Sequence, residues 1–288
     1  MKDYVECLND MYDSYYCKSD GRCKYYDECK SSIDEENKFY SDRVKVGENY
    51  GKIIEGKSIP KIIFCGLEGV HDGFHGEAIP EINMNNKNSM PSLEECNPHY
   101  RGVRYVLSYI LSGLEGKTKP NSAKMEDLRK EEYKEYLKSF CLTNIYHCAF
   151  GNKGKKSGLP HSKQMKNHCQ EIFFEEIDIL EPNLVVIQAI SNVPNTLWKN
   201  MKSRYPFEKE IARAKRNDNT SLYLLKNKND KPFLCLWTYH GRGFPYGGKN
   251  DSSDDKSFFV NNSKYIQDEL NPVLNATIDE LKRLACIY

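Results

Sequence analysis

Three kinds of side chain in this sequence could do chemistry. The first is thiol. Of eleven cysteines, Cys17, Cys23 and Cys29 are evenly spaced in CKSDGRCKYYDEC, Cys148 follows the apolar stretch FCLTNIY, and Cys169 lies in KNHCQEIFF. Four thiolates drawn from distant positions can hold a [4Fe–4S] cluster or a tetrahedral zinc ion. The C-x5-C-x5-C spacing is equally compatible with reduced, buried thiols and no metal, and Cys65, Cys141 and Cys235 lie inside apolar runs as plain core residues do. The second kind is a set of polar residues placed where apolar runs stop. Asn144 can donate and accept side by side, which suits the edge of a pyrimidine, although an asparagine after a strand also serves as a turn or cap residue. Glu68, His71 and Asp72 in GLEGVHDGFHGE, and His240 in TYHGRGF, are titratable groups in glycine-rich surroundings. They could handle a water or a proton, or form an ordinary polar loop. The third kind is the lysine run Lys153, Lys155 and Lys156, with Lys163 beyond it, which could contact phosphates or be a solvated face.

Such residues need a frame. IPKIIFCGLEG (59–69), SFCLTNIY (139–146), EPNLVVIQAI (181–190) and KPFLCLWTYHGRG (231–243) read as buried strands, with SLYLLKN as a hairpin partner of the last. Between them, helical spacing of apolar residues predicts helices over 100–114, 124–139, 162–180, 192–201 and 262–285. Continuous apolar strands alternating with helices predict a mainly parallel sheet covered on both faces, a three-layer α/β/α fold. In such sheets ligands bind outside the carboxyl ends of the strands. Glu68, Asn144 and His240 each follow a different strand, so they are expected to face one crevice. Residues 1–45 form a cysteine-rich N-terminal extension expected to pack on the core, and 46–288 a single α/β/α domain. The segment from Gly76 to His99 follows the polar turn and has no assignable role.

Composition narrows the classes. With 288 residues, 39% hydrophobic and 12% aromatic, the chain can bury a large core. A net charge of +1 with 29% charged residues names no partner, so any nucleic-acid surface is a local patch. No apolar run approaches the roughly 20 residues of a membrane span, and the opening MKDYVECLNDMYDSYY has no signal-peptide core. A soluble cytoplasmic protein with no membrane partner is expected, most simply a monomer. Its thiols should stay reduced rather than form a disulfide framework.

The order of these segments resembles the uracil-DNA glycosylase superfamily, most closely its iron–sulfur branch. The strand ending FCGLEG, the helix with Tyr100 and Arg104, TNIYHC with its basic loop, CQEIFFEEIDILEPNLVVIQA and the strand ending TYHGRGF carry the likeness, over roughly 45–243. The sequence departs from the family in the first motif, which lacks a proline. It also departs in the last, where Gly241, Arg242 and Gly243 follow His240, and in the five-residue spacing of the N-terminal cysteines.

The resemblance implies an enzyme: a monofunctional DNA glycosylase that flips a uracil or modified base and hydrolyses its N-glycosidic bond, leaving an abasic site. It implies base binding by Asn144 and by stacking on Phe74. Water activation would fall to Glu68 or Asp72 with His71 assisting, and charge stabilisation on the departing base to His240. Arg242 and Phe244 would enter the duplex, and Lys153, Lys155 and Lys156 would contact DNA phosphates. It also implies a [4Fe–4S] cluster on Cys23, Cys29, Cys148 and Cys169, with zinc as the alternative metal and Cys17 able to replace either N-terminal ligand. A glycosylase for modified cytosine in foreign DNA, a non-catalytic nucleic-acid-binding protein on the same scaffold, and a hydrolase of free nucleosides or nucleotides are the rival readings.

Overall fold

The structure is a computed structural model. It describes residues 3–17, 22–30, 38–41, 43–54, 56–68, 101–120, 138–151, 163–188, 195–215, 220–239 and 263–285. In chain order the elements are α1 (Tyr4–Tyr15), α2 (Tyr26–Lys30), β1 (Lys38–Ser41), β2 (Lys45–Val46), β3 (Ile53–Ile54), β4 (Lys57–Ser58), β5 (Ile62–Glu68) and α3 (Arg101–Leu114). They continue with β6 (Phe140–Tyr146), β7 (Cys148–Gly151), α4 (Lys163–Leu180), β8 (Leu184–Gln188), α5 (Asn195–Arg204), β9 (Phe207–Arg213), β10 (Ser221–Lys226) and β11 (Pro232–Thr238). At the end come α6 (Ser263–Tyr265), a π-helical stretch (Ile266–Leu270) and α7 (Asn271–Ala285).

Seven strands form a mostly parallel central sheet in the order β2-β6-β5-β8-β11-β10-β9. The α/β class is therefore the one the sequence predicts, and all four apolar runs are sheet strands. β8 and β11 are parallel, from Leu184 opposite Leu234 to Gln188 opposite Thr238. SLYLLKN is indeed a hairpin partner, with β10 antiparallel to β11 from Ser221↔Trp237 to Lys226↔Pro232. β9 adds an antiparallel strand beyond it. FEKEIAR reads as neither a buried nor an alternating strand because most of its residues are exposed. The predicted helix over 124–139 falls almost wholly outside the described residues.

The chain packs as two compact units. One comprises residues 1–46, 65–89 and 142–181, the other 47–64, 90–141 and 182–288. In the second unit, helices lie on both faces of the antiparallel end of the sheet. Trp237 and Thr238 are successive strand residues and so point to opposite faces. Trp198 of α5 meets Trp237 and Tyr223, with ring centroids at 5.5 and 4.4 Å. The Tyr265 hydroxyl of α6 meets Thr238 Oγ1 at 2.9 Å and Thr220 Oγ1 at 2.8 Å. α3 packs on α7, where Tyr105 and Tyr109 donate to the side-chain oxygens of Asn271 and Asn275 at 2.8 and 3.1 Å. Both sets ascend by four residues, so the two helices run in the same direction. Gly113 lets them approach: a Cβ there would meet Ile278 Cδ1 at 2.3 Å.

In the first unit, α1 buries Leu8, Met11, Tyr12 and Tyr15, the i, i+3, i+4, i+7 stripe of an amphipathic helix. Asp3 caps it, accepting from the amides of Val5 and Glu6 at 3.0 and 3.2 Å. α1 and α2 both pack on α4. α4 turns Met165, Cys169, Ile172, Phe173, Glu176, Ile177 and Leu180 inward. A small ladder, β1 antiparallel to β7, sets Ser41 opposite Cys148.

Candidate active site and thiol cluster

β6 is the strand from which the candidate site is built. Along it Thr143, Ile145 and then His147 are buried, while Leu142 and Asn144 are half-buried. Side chains alternate along a strand, so Thr143 and Ile145 share one face and Asn144 lies on the other. Asn144 is the fifth of seven strand residues, not the residue after the strand, because the ladder continues through Ile145 and Tyr146. Its carboxamide stands beside Gly66 of β5: a Cβ on Gly66 would sit 2.8 Å from Asn144 Oδ1. The bare α-carbon of Gly66 is what gives the asparagine its room.

Beneath Asn144, on the opposite face, lies a polar network with no counterpart in the sequence reading. Glu176 of α4 is 0% exposed. Its Oε2 accepts Thr143 Oγ1 at 2.6 Å, its Oε1 accepts the Tyr12 hydroxyl of α1, and His147 Nε2 lies 3.4 Å from that same oxygen. The Tyr12 oxygen in turn accepts the Val44 amide at 2.7 Å. A signal was present: Glu176 occupies an inward position three residues after Phe173 and four after Ile172. A carboxylate there is expensive unless it is hydrogen-bonded.

Two further tyrosines of the N-terminal extension bind α4 carboxylates. Tyr15 donates to Glu175 at 2.7 Å and Tyr25 to Glu171 at 3.1 Å. Glu28 meets His168 Nε2 at 3.0 Å, and Tyr25 stacks on the His168 ring at 3.7 Å between centroids. Burial and the Glu175 carboxylate push the Tyr15 phenol well above the usual tyrosine range. These contacts lay α1 and α2 along α4.

The same docking brings cysteines together. Cys23, Cys29 and Cys169 are all buried. Burial pushes the Cys29 thiol up to about 12, and the nearby Cys169 and Cys23 add to the shift. A thiol so raised is held as a neutral group, and a bound cation would reverse that balance. Thiols are the donor type a thiophilic metal takes. Cys148 opens β7 opposite Ser41, and its side chain lies outside the described residues. Among the described residues no three metal-ligating side chains gather about one point. Cys17 is exposed; its amide donates to the Arg22 carbonyl at 2.8 Å, closing a loop in which Tyr16 bridges to Cys23.

Glu68 is the last residue of β5, and its side chain also lies outside the described residues. The same is true of His71, Asp72, Phe74, Lys153, Lys155, Lys156, His240, Arg242 and Phe244 as whole residues, and of the segment from Gly76 to His99. Of the sequence-derived candidates, the structure therefore describes Asn144, Cys17, Cys23, Cys29 and Cys169 in full. Among the described residues no helix is long and apolar enough to cross a membrane. No protein-family model matches the chain, and no curated protein matches it.

Proposed function

We propose that this protein is a monofunctional DNA glycosylase of the uracil-DNA glycosylase type. It extrudes a uracil or a modified base, reads the base edge with Asn144, and hydrolyses the N-glycosidic bond with an activated water. The observation that carries the reading is the Asn144 carboxamide, held near the carboxyl end of a central strand against the bare α-carbon of Gly66. Open α/β sheets bind ligands at strand carboxyl ends, and a carboxamide can donate and accept to a base edge at once.

In this reading the base stacks on Phe74, and Glu68 or Asp72 orients the water and stabilises the positive charge that develops on the sugar, with His71 beside them. His240 supports negative charge on the departing base. Arg242 and Phe244 fill the gap left in the duplex, and Lys153, Lys155 and Lys156 hold phosphates. Cys23, Cys29, Cys148 and Cys169 would hold a [4Fe–4S] cluster, with zinc the alternative, tying the N-terminal extension to α4 and β7. Such a group would supply structural cross-linking and no step of the hydrolysis.

The test is base excision on oligonucleotides containing uracil, hypoxanthine or modified cytosines, with abasic sites revealed by alkali. The expected result is cleavage at one base class, lost in Asn144→Ala and in Glu68→Ala or Asp72→Ala. Salt-sensitive DNA binding without cleavage of any base would instead leave a non-catalytic nucleic-acid-binding protein. Cleavage of free nucleosides alone would make it a nucleoside hydrolase.

A further inference from the structure

The carboxylate of Glu176 lies on the face of β6 opposite Asn144 and is buried where three segments meet. It holds Thr143, the residue before Asn144, through a 2.6 Å hydrogen bond, and lies 3.4 Å from His147, the residue before Cys148. On its other side it accepts the Tyr12 hydroxyl, which also takes the Val44 amide. One carboxylate thereby hydrogen-bonds the strand just before Asn144, stands close to the ring of His147 beyond it, and joins both to the N-terminal extension. An apolar residue in the same stripe would fill the space but fix no register. A buried carboxylate with directional partners fixes both distance and rotation.

We propose that Glu176 is a positioning residue. Through its hydrogen bond to Thr143, with the His147 ring packed beside it, it sets the height and twist of the strand end that presents Asn144, and through Tyr12 it makes the N-terminal extension part of that setting. The proposal rests on the glycosylase reading only for the consequence in catalysis. The mechanical claim concerns the Asn144 carboxamide itself. Displacement of a reading group by a few tenths of an ångström to 1 Å loses transition-state contacts while leaving most of the DNA contacts intact.

The experiment uses the full chain, purified without air, as Glu176→Gln, Tyr12→Phe and Thr143→Val. Glu176→Gln keeps the shape, and Thr143→Val removes one partner without touching α1. Two readouts are taken. The first is the side-chain amide resonance of Asn144, assigned by its loss in Asn144→Asp. It should move in all three variants, and in Tyr12→Phe although Tyr12 is on a different helix. The second is kinetics on the excised base. kcat should fall about tenfold or more, with KM and the affinity for undamaged duplex changed less than about threefold. A shift in thermal unfolding alone, with the Asn144 resonance and kcat unmoved, overturns the proposal and leaves Glu176 a purely structural group. If the unaltered protein excises no base, the glycosylase reading fails. The resonance then still decides whether Glu176 positions Asn144.

Discussion

At the scale of single residues, the closest test of the site is Gly66. A methyl group there would press on Asn144 Oδ1 at 2.8 Å and meets other atoms only at 3.9 Å or beyond. The crowded atom is the tip of a side chain, so the fold can absorb Gly66→Ala at a cost of about 1 kcal/mol. The carboxamide cannot stay where it is. On the proposed glycosylase reading, excision is therefore expected to fall roughly 10- to 100-fold while the unfolding midpoint moves little. Equal activity in Gly66→Ala would show that the observed carboxamide position is not the working one. A second residue reports on pH. Burial pushes the Tyr265 phenol up to about 12, although hydrogen bonds to Thr220 and Thr238 work against the shift. A raised folded pKa means the native state keeps its proton where the unfolded chain loses it. The contribution is full below about pH 10, the usual tyrosine value, and is lost as pH climbs from there toward 12. Alkaline unfolding should thus be shallower in Tyr265→Phe over that window, measured by far-UV circular dichroism against pH. A parallel pair of curves would place the titration elsewhere.

At the scale of elements, the decisive contacts are those of the N-terminal extension on α4. Tyr12, Tyr15 and Tyr25 bind Glu176, Glu175 and Glu171, but only the first pair is fully buried. A buried acceptor stripped of its donor costs about 1–3 kcal/mol, an exposed pair much less. Tyr12→Phe is accordingly expected to destabilise the protein by that amount and to expose α1 to proteolysis, while Tyr25→Phe should do neither. Similar effects from both would mean that α1 and α2 are held by apolar burial alone. The contrast also explains what could be seen in the sequence. The four apolar strands and the helices over 101–114 and 163–180 were legible because each is buried along its length or on one stripe, and burial imprints a period. β9 was not, since an exposed strand with Glu208, Lys209 and Glu210 carries no apolar period. Asn144 was legible as a candidate, but Glu176, which accepts the hydroxyls of Thr143 and Tyr12, was not. A single carboxylate among the charges of EIFFEEIDIL gains meaning only when Tyr12, 164 residues away, is folded against it.

At the scale of the whole molecule, the thiols test whether the N-terminal extension and the central chain share one metal. Cys23 and Cys29 come from the extension, Cys148 from β7 and Cys169 from α4, so nothing in local sequence unites them. Cys29, Cys23 and Cys169 are nonetheless close enough to raise the Cys29 pKa, and that convergence follows from the tyrosine–carboxylate contacts, which need no metal. The extension is thus docked by side chains other than the thiols, so its packing is not expected to depend on a metal as it does in small domains that fold only when metal binds. Two outcomes follow for protein purified without air. Iron and acid-labile sulfide should be present and should fall sharply in Cys29→Ser, Cys148→Ser and Cys169→Ser, but not in Cys17→Ser, because Cys17 is exposed. Resistance of α1 to proteolysis, by contrast, should survive metal removal and be lost in Tyr12→Phe. If chelation alone releases α1, the metal and not the tyrosines holds the extension. If Cys17→Ser loses the metal while Cys23→Ser keeps it, the ligand set shifts by one cysteine along the same loop.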